Sequence, residues 1–273
     1  MEMMRATESE SHYKHLDTMP TEELLRGINA EDRTVPLAIE GTIPAIAQLV
    51  EAIVARDGRI FYIGAGTSGR IGITDASEIL PTYGVKGKFI GIIAGGDAAI
   101  RNPIEGAEDD PEQGWQDILP YHPTANDTVI GITASGSAPY VLGAIREARK
   151  AGLLTACITC NEGSPVEEAC DIPLVTVVGP EFVTGSTRMK AGTAAKLILN
   201  MISTSVMIRL GHVRGNRMVD MQLTNSKLVD RGARMVMSET GIRDYEKAKA
   251  LLLRYGSVRE AARAHDEDSF VKK

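Results

Sequence analysis

Three short turns and a few carboxylates hold the residue types in this chain that could do chemistry. The first turn is Gly64-Ala65-Gly66-Thr67-Ser68-Gly69, between an apolar run and a stretch that predicts a helix over Ser68 to Leu80, stopping before Pro81. Glycines let the backbone turn tightly and approach a ligand. A helix beginning here aims unpaired N–H groups and partial positive charge at an anion. Thr67 and Ser68 add hydroxyl donors. The second turn is Thr133-Ala-Ser135-Gly136-Ser137-Ala-Pro139; the third, Gly185-Ser186-Thr187-Arg188-Met-Lys190, carries two cations. Repeated hydroxyl- and glycine-rich turns suit a phosphate held without a metal. The carboxylates are Glu78, with Asp75 three residues before it, and the run Glu105-Gly-Ala-Glu108-Asp109-Asp110.

Each feature also has a plainer reading. The first turn fits the G-x-G-x-x-G of dinucleotide folds. Such folds place an acid at the end of the second strand to hold a ribose. Here the acid that follows that strand is Asp97, several residues too late. The phosphate of a small molecule therefore ranks first, a dinucleotide second and a bare turn third. Ser135 and Ser137 could simply cap a helix, which Ser does routinely. Glu78 could be a solvated residue at a helix end, and Glu105 to Asp110 a plain acidic loop. Arg188 and Lys190 could complement a bound anion or be ordinary surface cations.

The elements that would position these residues alternate. Near-continuous apolar runs predict strands at Arg59–Ile63, Lys88–Ala94, Thr128–Thr133, Leu154–Thr159 and Pro173–Val178. Such runs belong to strands buried on both faces. Helices are predicted at Ser68–Leu80, Pro139–Ala151, Pro165–Ala169 and Thr187–Leu210. Before the first strand, Ile43 to Arg56 carries Ile43, Ile46, Ala47, Val50, Ile53 and Val54 on one face, with Gly58 placed to end it. Shorter helices are predicted over Glu22–Gly27 and Ala30–Glu40. The alternation implies an α/β fold, a parallel sheet with helices on both sides. Ligands in such sheets bind beyond the carboxyl ends of the strands, where all three turns fall. Met1 to His15 is polar and aperiodic and reads as a loose tail. Past Gly211 the chain grows more polar, with short helices expected at Tyr245–Arg254 and Ser257–Ala264.

Bulk composition narrows the function. The chain has 273 residues and a formal net charge of −6, without a long basic run. That argues against a nucleic-acid surface, and four Phe with one Trp leave little for base stacking. Three cysteines, with no signal peptide in view, suggest reduced thiols in a cytoplasmic protein. Cys157-x-x-Cys160 lies in a predicted buried strand without a second pair, so core packing is its expected role. The five His show no metal-ligand spacing, and no metal site is expected. No apolar run approaches the roughly 18 residues of a membrane span.

Four stretches resemble one family. They are Ile63 to Glu78, ending in Asp75-Ala-Ser-Glu78; Ile93 to Asp97 together with Glu105 to Asp110; Phe182 to Ala194, containing Gly185-Ser-Thr-Arg-Met-Lys-Ala-Gly-Thr193; and Gly215 to Leu228. They resemble the sugar isomerase (SIS) domain, a five-stranded parallel αβα fold that binds phosphosugars. More closely, they resemble the N-acetylmuramic acid 6-phosphate etherases. The resemblance implies a cofactor-free lyase of peptidoglycan recycling. It would cleave a C3 lactyl ether by elimination and then water addition, with Glu78 as acid and Glu108 as base, and Glu105 as the nearest competitor to Glu108. With the three turns, the expected substrate- and phosphate-binding residues are Gly66, Thr67, Ser68, Thr133, Ser135, Gly136, Ser137, Ser186, Thr187 and Lys190, with Lys190 and Arg188 complementing the phosphate or the lactyl carboxylate. The resemblance also implies a homodimer with the active site near the interface. Two departures stand out. Ser137-Ala138 replaces a common Arg-Thr and is similar to the glucokinase regulatory protein, a non-enzymatic phosphosugar binder, which is the alternative reading. The stretch after Gly241 is short for the usual three-helix appendage. The expected division is a tail over 1–15, a phosphosugar-binding domain over 16–214 and a helical segment over 215–273.

Overall fold

A computed structural model describes residues 6–223 and 225–271, with side chains described to residue 267. Five strands form one parallel sheet: β1 (Ile60–Gly64), β2 (Phe89–Ile93), β3 (Thr128–Ile132), β4 (Leu154–Thr159) and β5 (Ile172–Val175), in the order β2-β1-β3-β4-β5. Every residue of β1, β3 and β4 is buried, as their unbroken apolar composition requires. Strand order reverses direction between β1 and β3, which is where open α/β sheets hold ligands. Gly64 pairs in register with both Ile93 and Ile132, so the turns after β1, β2 and β3 leave the sheet at one level.

The helices are α1 (Thr21–Asp32), α2 (Val35–Ile39), α3 (Ile43–Arg56), α4 (Gly66–Ser77), α5 (Ile79–Tyr83), α6 (Ala98–Arg101), α7 (Gln113–Ile118), α8 (Pro139–Lys150), α9 (Pro165–Ala169), α10 (Lys190–Arg209), α11 (Ser226–Thr240), α12 (Tyr245–Tyr255) and α13 (Val258–Val271). α8 packs on β1, β3 and β4, while α3 packs on β5. The buried face of α3 is Ile46, Leu49, Val50 and Ile53, whereas Ile43 and Ala47 are exposed. α3 ends on Asp57 in the left-handed region (φ 53°), one residue before the expected Gly58. α10 is apolar and long enough by composition to cross a membrane, as is the run Thr21–Arg56. In α10 that apolarity is partly buried: Ile198, Leu199, Ile202 and Val206 are fully buried, whereas Met201 and Ile208 are exposed.

The chain divides into two compact units: residues 6–76 with 89–206, and residues 77–88 with 207–271. The expected boundary at Gly215 thus falls earlier, and a short piece around α5 belongs to the second unit. Within the first unit, the segment expected to be a loose tail is fastened from Thr7 onward. Thr7 is buried and exchanges hydrogen bonds with Asn161 at 3.2 and 2.9 Å. Ser11 Oγ donates to the Phe182 carbonyl at 2.7 Å, and the Tyr13 ring lies 4.6 Å from that of Phe182. Residues 1–5 lie outside the described part, as does Thr224 of the fourth family stretch.

The second unit has its own core of Val219, Met221, Ala233, Val236, Ala248, Leu252, Val258 and Ala261. It contains α5, α11, α12 and α13, and an antiparallel pair, β6 (Val213–Arg214) with β7 (Arg217–Met218). Pro81 sits inside α5, where a helix stop was expected. It occupies the first turn, where a missing N–H costs nothing. Three helices follow β7, so the helical appendage holds one more helix (α11) than the composition suggested.

Candidate active site

The first turn opens α4 at Gly66, two residues ahead of the expected Ser68. Beyond the carboxyl ends of β1 and β2 lies a cavity of about 340 Å³, lined by Gly66, Arg70, Ala99, Ile104, Glu105 and Glu108 among others. The turn that could hold an anion and the acidic run therefore face one space. Glu105 and Glu108 are both exposed to it and to solvent.

The acidic run is anchored to the second turn's helix. The Tyr140 N–H, in the first turn of α8, donates to the Glu108 carbonyl at 3.0 Å. Asp110 Oδ1 accepts from the N–H groups of Glu112 and Gln113 at 2.9 and 3.1 Å, which closes the loop into α7. In the second turn Ser135 Oγ is the hub. It accepts from the Ser137 N–H at 3.3 Å and the Ser137 hydroxyl at 3.2 Å, and lies 3.4 Å from Thr133 Oγ1. Gly136 is required twice over: its φ is +72°, and an added Cβ would stand 2.3 Å from the Ser164 Cβ. The Ser164 hydroxyl beside it is buried without a hydrogen-bond partner.

The third turn meets the first. Gly192, on α10, packs against Thr67, whose Cγ2 would lie 3.5 Å from an added Cβ, and its N–H donates to the Thr187 carbonyl at 3.0 Å. Ser186 and Thr187 are half-buried and Arg188 is exposed. Lys190 is neither a surface cation nor a free one. It is 3% exposed, and its Nζ donates to Glu31 Oε2 at 2.6 Å. Glu181, itself 1% exposed, accepts from the N–H groups of Lys190 and Ala191 at 2.8 and 3.0 Å and caps α10. Lys190→Met would strand the Glu31 carboxylate. Breaking one side of a buried pair costs about 3 kcal/mol or more, whereas replacing both by apolar groups can be neutral. Urea titration is expected to show that loss for Lys190→Met and most of it restored in Lys190→Met with Glu31→Met. A stable single variant with a raised KM would instead assign Lys190 to ligand binding.

Glu78 lies just past α4, at the first position before α5 in the second unit, and is exposed. Partial burial, expected for a carboxyl kept protonated, belongs instead to Asp75. Asp75 Oδ1 accepts from the Ser203 hydroxyl at 3.1 Å, and its Oδ2 is shut off from solvent without a hydrogen-bond partner. Burial raises its pKa above the ordinary carboxylate value; Ser203, Tyr62 and Lys196 offset this only in part. The folded state thus holds this proton more tightly than the unfolded chain. The stability it contributes is full below the unfolded value, near 3.9, and is lost as pH rises through the raised one. Asp75→Asn keeps the Oδ1 acceptor and removes the charge. Its melting temperature is expected to exceed that of the parent at pH 7, with the gap closing by pH 4. An equal gap at both pH values would contradict a raised pKa.

The structure thus brings Gly66 and Glu108 to one cavity, puts the Thr133–Ser137 turn at the neighbouring end of β3, and has Thr67 and Thr187 both against Gly192, while Lys190 is turned to Glu31. Arg70 in the cavity wall escaped the sequence reading, although it stands in the first family stretch. Its guanidinium reaches residues thirty positions away, and no local spacing signals that. Glu31 and Glu181 escaped for the same reason. Cys157, Cys160 and Cys170 are buried free thiols. Among the described residues, no three His, Cys, Asp or Glu side chains gather where they could hold a metal ion.

Residues 43–149 match the glucokinase regulatory protein N-terminal SIS domain family, and residues 108–205 match the SIS domain family. The chain is 59% identical over 262 residues to the N-acetylmuramic acid 6-phosphate etherase of Porphyromonas gingivalis, covering 94% of this chain and 95% of that one. It is 55% identical over 269 residues to the N-acetylmuramic acid 6-phosphate etherase of Bacteroides thetaiotaomicron, covering 97% of each. Among solved structures, a phosphoheptose isomerase from Francisella tularensis superposes with a TM-score of 0.52 at 19% identity, covering 68% of this chain and all of that one, which bears on the fold alone. Identity on this scale along nearly the whole length places the chain in the N-acetylmuramic acid 6-phosphate etherase family.

Proposed function

We propose that this chain is a carbon–oxygen lyase that cleaves the C3 D-lactyl ether of N-acetylmuramic acid 6-phosphate. The products are N-acetylglucosamine 6-phosphate and D-lactate, and the setting is amino-sugar recycling from peptidoglycan in the cytoplasm. The observation that carries this reading is the placement of Glu108. Glu108 lines the same cavity as Gly66, and its carbonyl is bound to the helix that follows Ser135 and Ser137. A base stands next to a phosphate cradle, as proton abstraction from a phosphosugar needs.

The phosphate sits on the hydroxyls and N–H groups of Thr67, Ser68, Thr133, Ser135 and Ser137, with Ser186 and Thr187 beside them. Glu108 takes the C2 proton of the open-chain aldehyde. The C3–O bond breaks with its electron pair going to the lactyl oxygen, which takes a proton from Glu78. Water then adds at C3 of the unsaturated aldehyde and a proton returns to C2. Glu78 stands beyond the full length of α4, about 18 Å at 1.5 Å per residue. A hexose phosphate is shorter, so a second copy of the chain completes the site. The regulator reading, founded on Ser137-Ala138, gives no use for two carboxylates and is not favoured.

Reaction in 18O-water tests the route. The heavy oxygen is expected at C3 of the amino sugar and not in the lactate hydroxyl. Label in the lactate hydroxyl would mean cleavage on the lactyl side and would end the elimination mechanism.

A further inference from the structure

Arg70 combines two properties that the reaction above leaves unused. It stands one helical turn after Gly66 on α4 and is one of the residues lining the cavity that holds Glu105 and Glu108. Its Nε donates to the Ile100 carbonyl at 2.9 Å and its Nη2 to the Ala99 carbonyl at 2.8 Å. These carbonyls belong to α6, the short helix from which the chain runs on to Glu105 and Glu108. Two of five N–H donors are used in this way. Carbonyls do not cancel the charge, and no carboxylate among the described residues forms an ion pair with it.

The cavity therefore presents one fixed cation beside two carboxylates, with Ala99 and Ile104 as apolar wall. A substrate with a second anion needs such a cation. Without it, a carboxylate entering beside Glu105 and Glu108 would meet only like charge. A lactyl ether is such a substrate: its carboxylate carbon is two bonds from the ether oxygen, and its methyl group is on the carbon between. Whatever holds that carboxylate must lie next to the group that works on C2 and C3. Arg70 lies in the cavity of Glu108, and the Ala99 and Ile104 side chains suit the methyl. An arginine already braced by two carbonyls is preorganised to receive a carboxylate.

We propose that Arg70, with Ala99 and Ile104, forms the subsite for the lactyl group and makes the enzyme selective for an ether bearing a carboxylate. This rests on the etherase reading. The test compares N-acetylmuramic acid 6-phosphate with its lactamide analogue, in which the carboxylate is a carboxamide, for wild type, Arg70→Lys and Arg70→Met. Wild type is expected to favour the acid by about 10–100-fold in kcat/KM, the scale of a charge-assisted bond. In Arg70→Met the ratio is expected to fall to within about threefold of unity, with Arg70→Lys between. Should Arg70→Met fail to fold, the wild-type and Arg70→Lys ratios decide. A preserved ratio, with both substrates slowed alike, would leave Arg70 as a brace for α6 and overturn the proposal. A wild type that cleaves the C3 ether of neither substrate, releasing neither lactate nor lactamide, would remove the etherase reading itself.

Discussion

Glu108→Gln is expected to lower kcat for D-lactate release by at least about 100-fold, the usual size of a general-base contribution. Its stability is expected to stay within about 0.5 kcal/mol of the parent, because the side chain is exposed. What ties Glu108 to the fold is its carbonyl, bound by the Tyr140 N–H, and the substitution leaves that bond alone. Loss of rate without loss of fold separates chemistry from support. Glu105→Gln is the control. It shares the cavity and the exposure, so a general loss of negative charge would slow both variants equally. A large effect of Glu105→Gln with a small one of Glu108→Gln would exchange their roles.

Gly143→Ala is expected to be the most damaging small substitution near the site. In an exposed helix interior, Gly→Ala gains about 1 kcal/mol of helix propensity. Here an added Cβ would lie 1.7 Å from the Pro111 carbonyl oxygen. That is backbone, so relief requires the Glu108–Pro111 segment to lift from α8. Overpacking of this kind costs about 1–3 kcal/mol or more, which outweighs the propensity gain and reverses the sign. Because the displaced segment carries Glu108, kcat is expected to fall together with the midpoint of unfolding. A Gly143→Ala protein as stable and as active as the parent would mean that α8 does not fix the base.

The sheet was legible because parallel strands buried on both faces are written as unbroken apolar runs, and Leu154–Thr159 was found to the residue. The three turns were legible because glycine and hydroxyl side chains at strand ends have few other uses. The expected kinship with SIS-domain phosphosugar proteins and the etherases is matched by relatives along nearly the whole chain. What the sequence hid depends on distance. The Arg70 bonds to α6 and the Lys190–Glu31 pair join residues that share no local pattern. α11 was missed because its apolar stripe, including Ala233 and Val236, is sparse among charges and packs on a core that forms only with α12 and α13. The fastening of Thr7 by Asn161 was invisible for a similar reason: one buried amide against one hydroxyl leaves no periodicity.

The most direct measurement is D-lactate release from N-acetylmuramic acid 6-phosphate by the purified wild-type chain in the presence of EDTA. The account predicts stoichiometric D-lactate and N-acetylglucosamine 6-phosphate. No release, with tight binding of the phosphosugar still seen by calorimetry, would contradict it and leave a phosphosugar sensor in place of an enzyme.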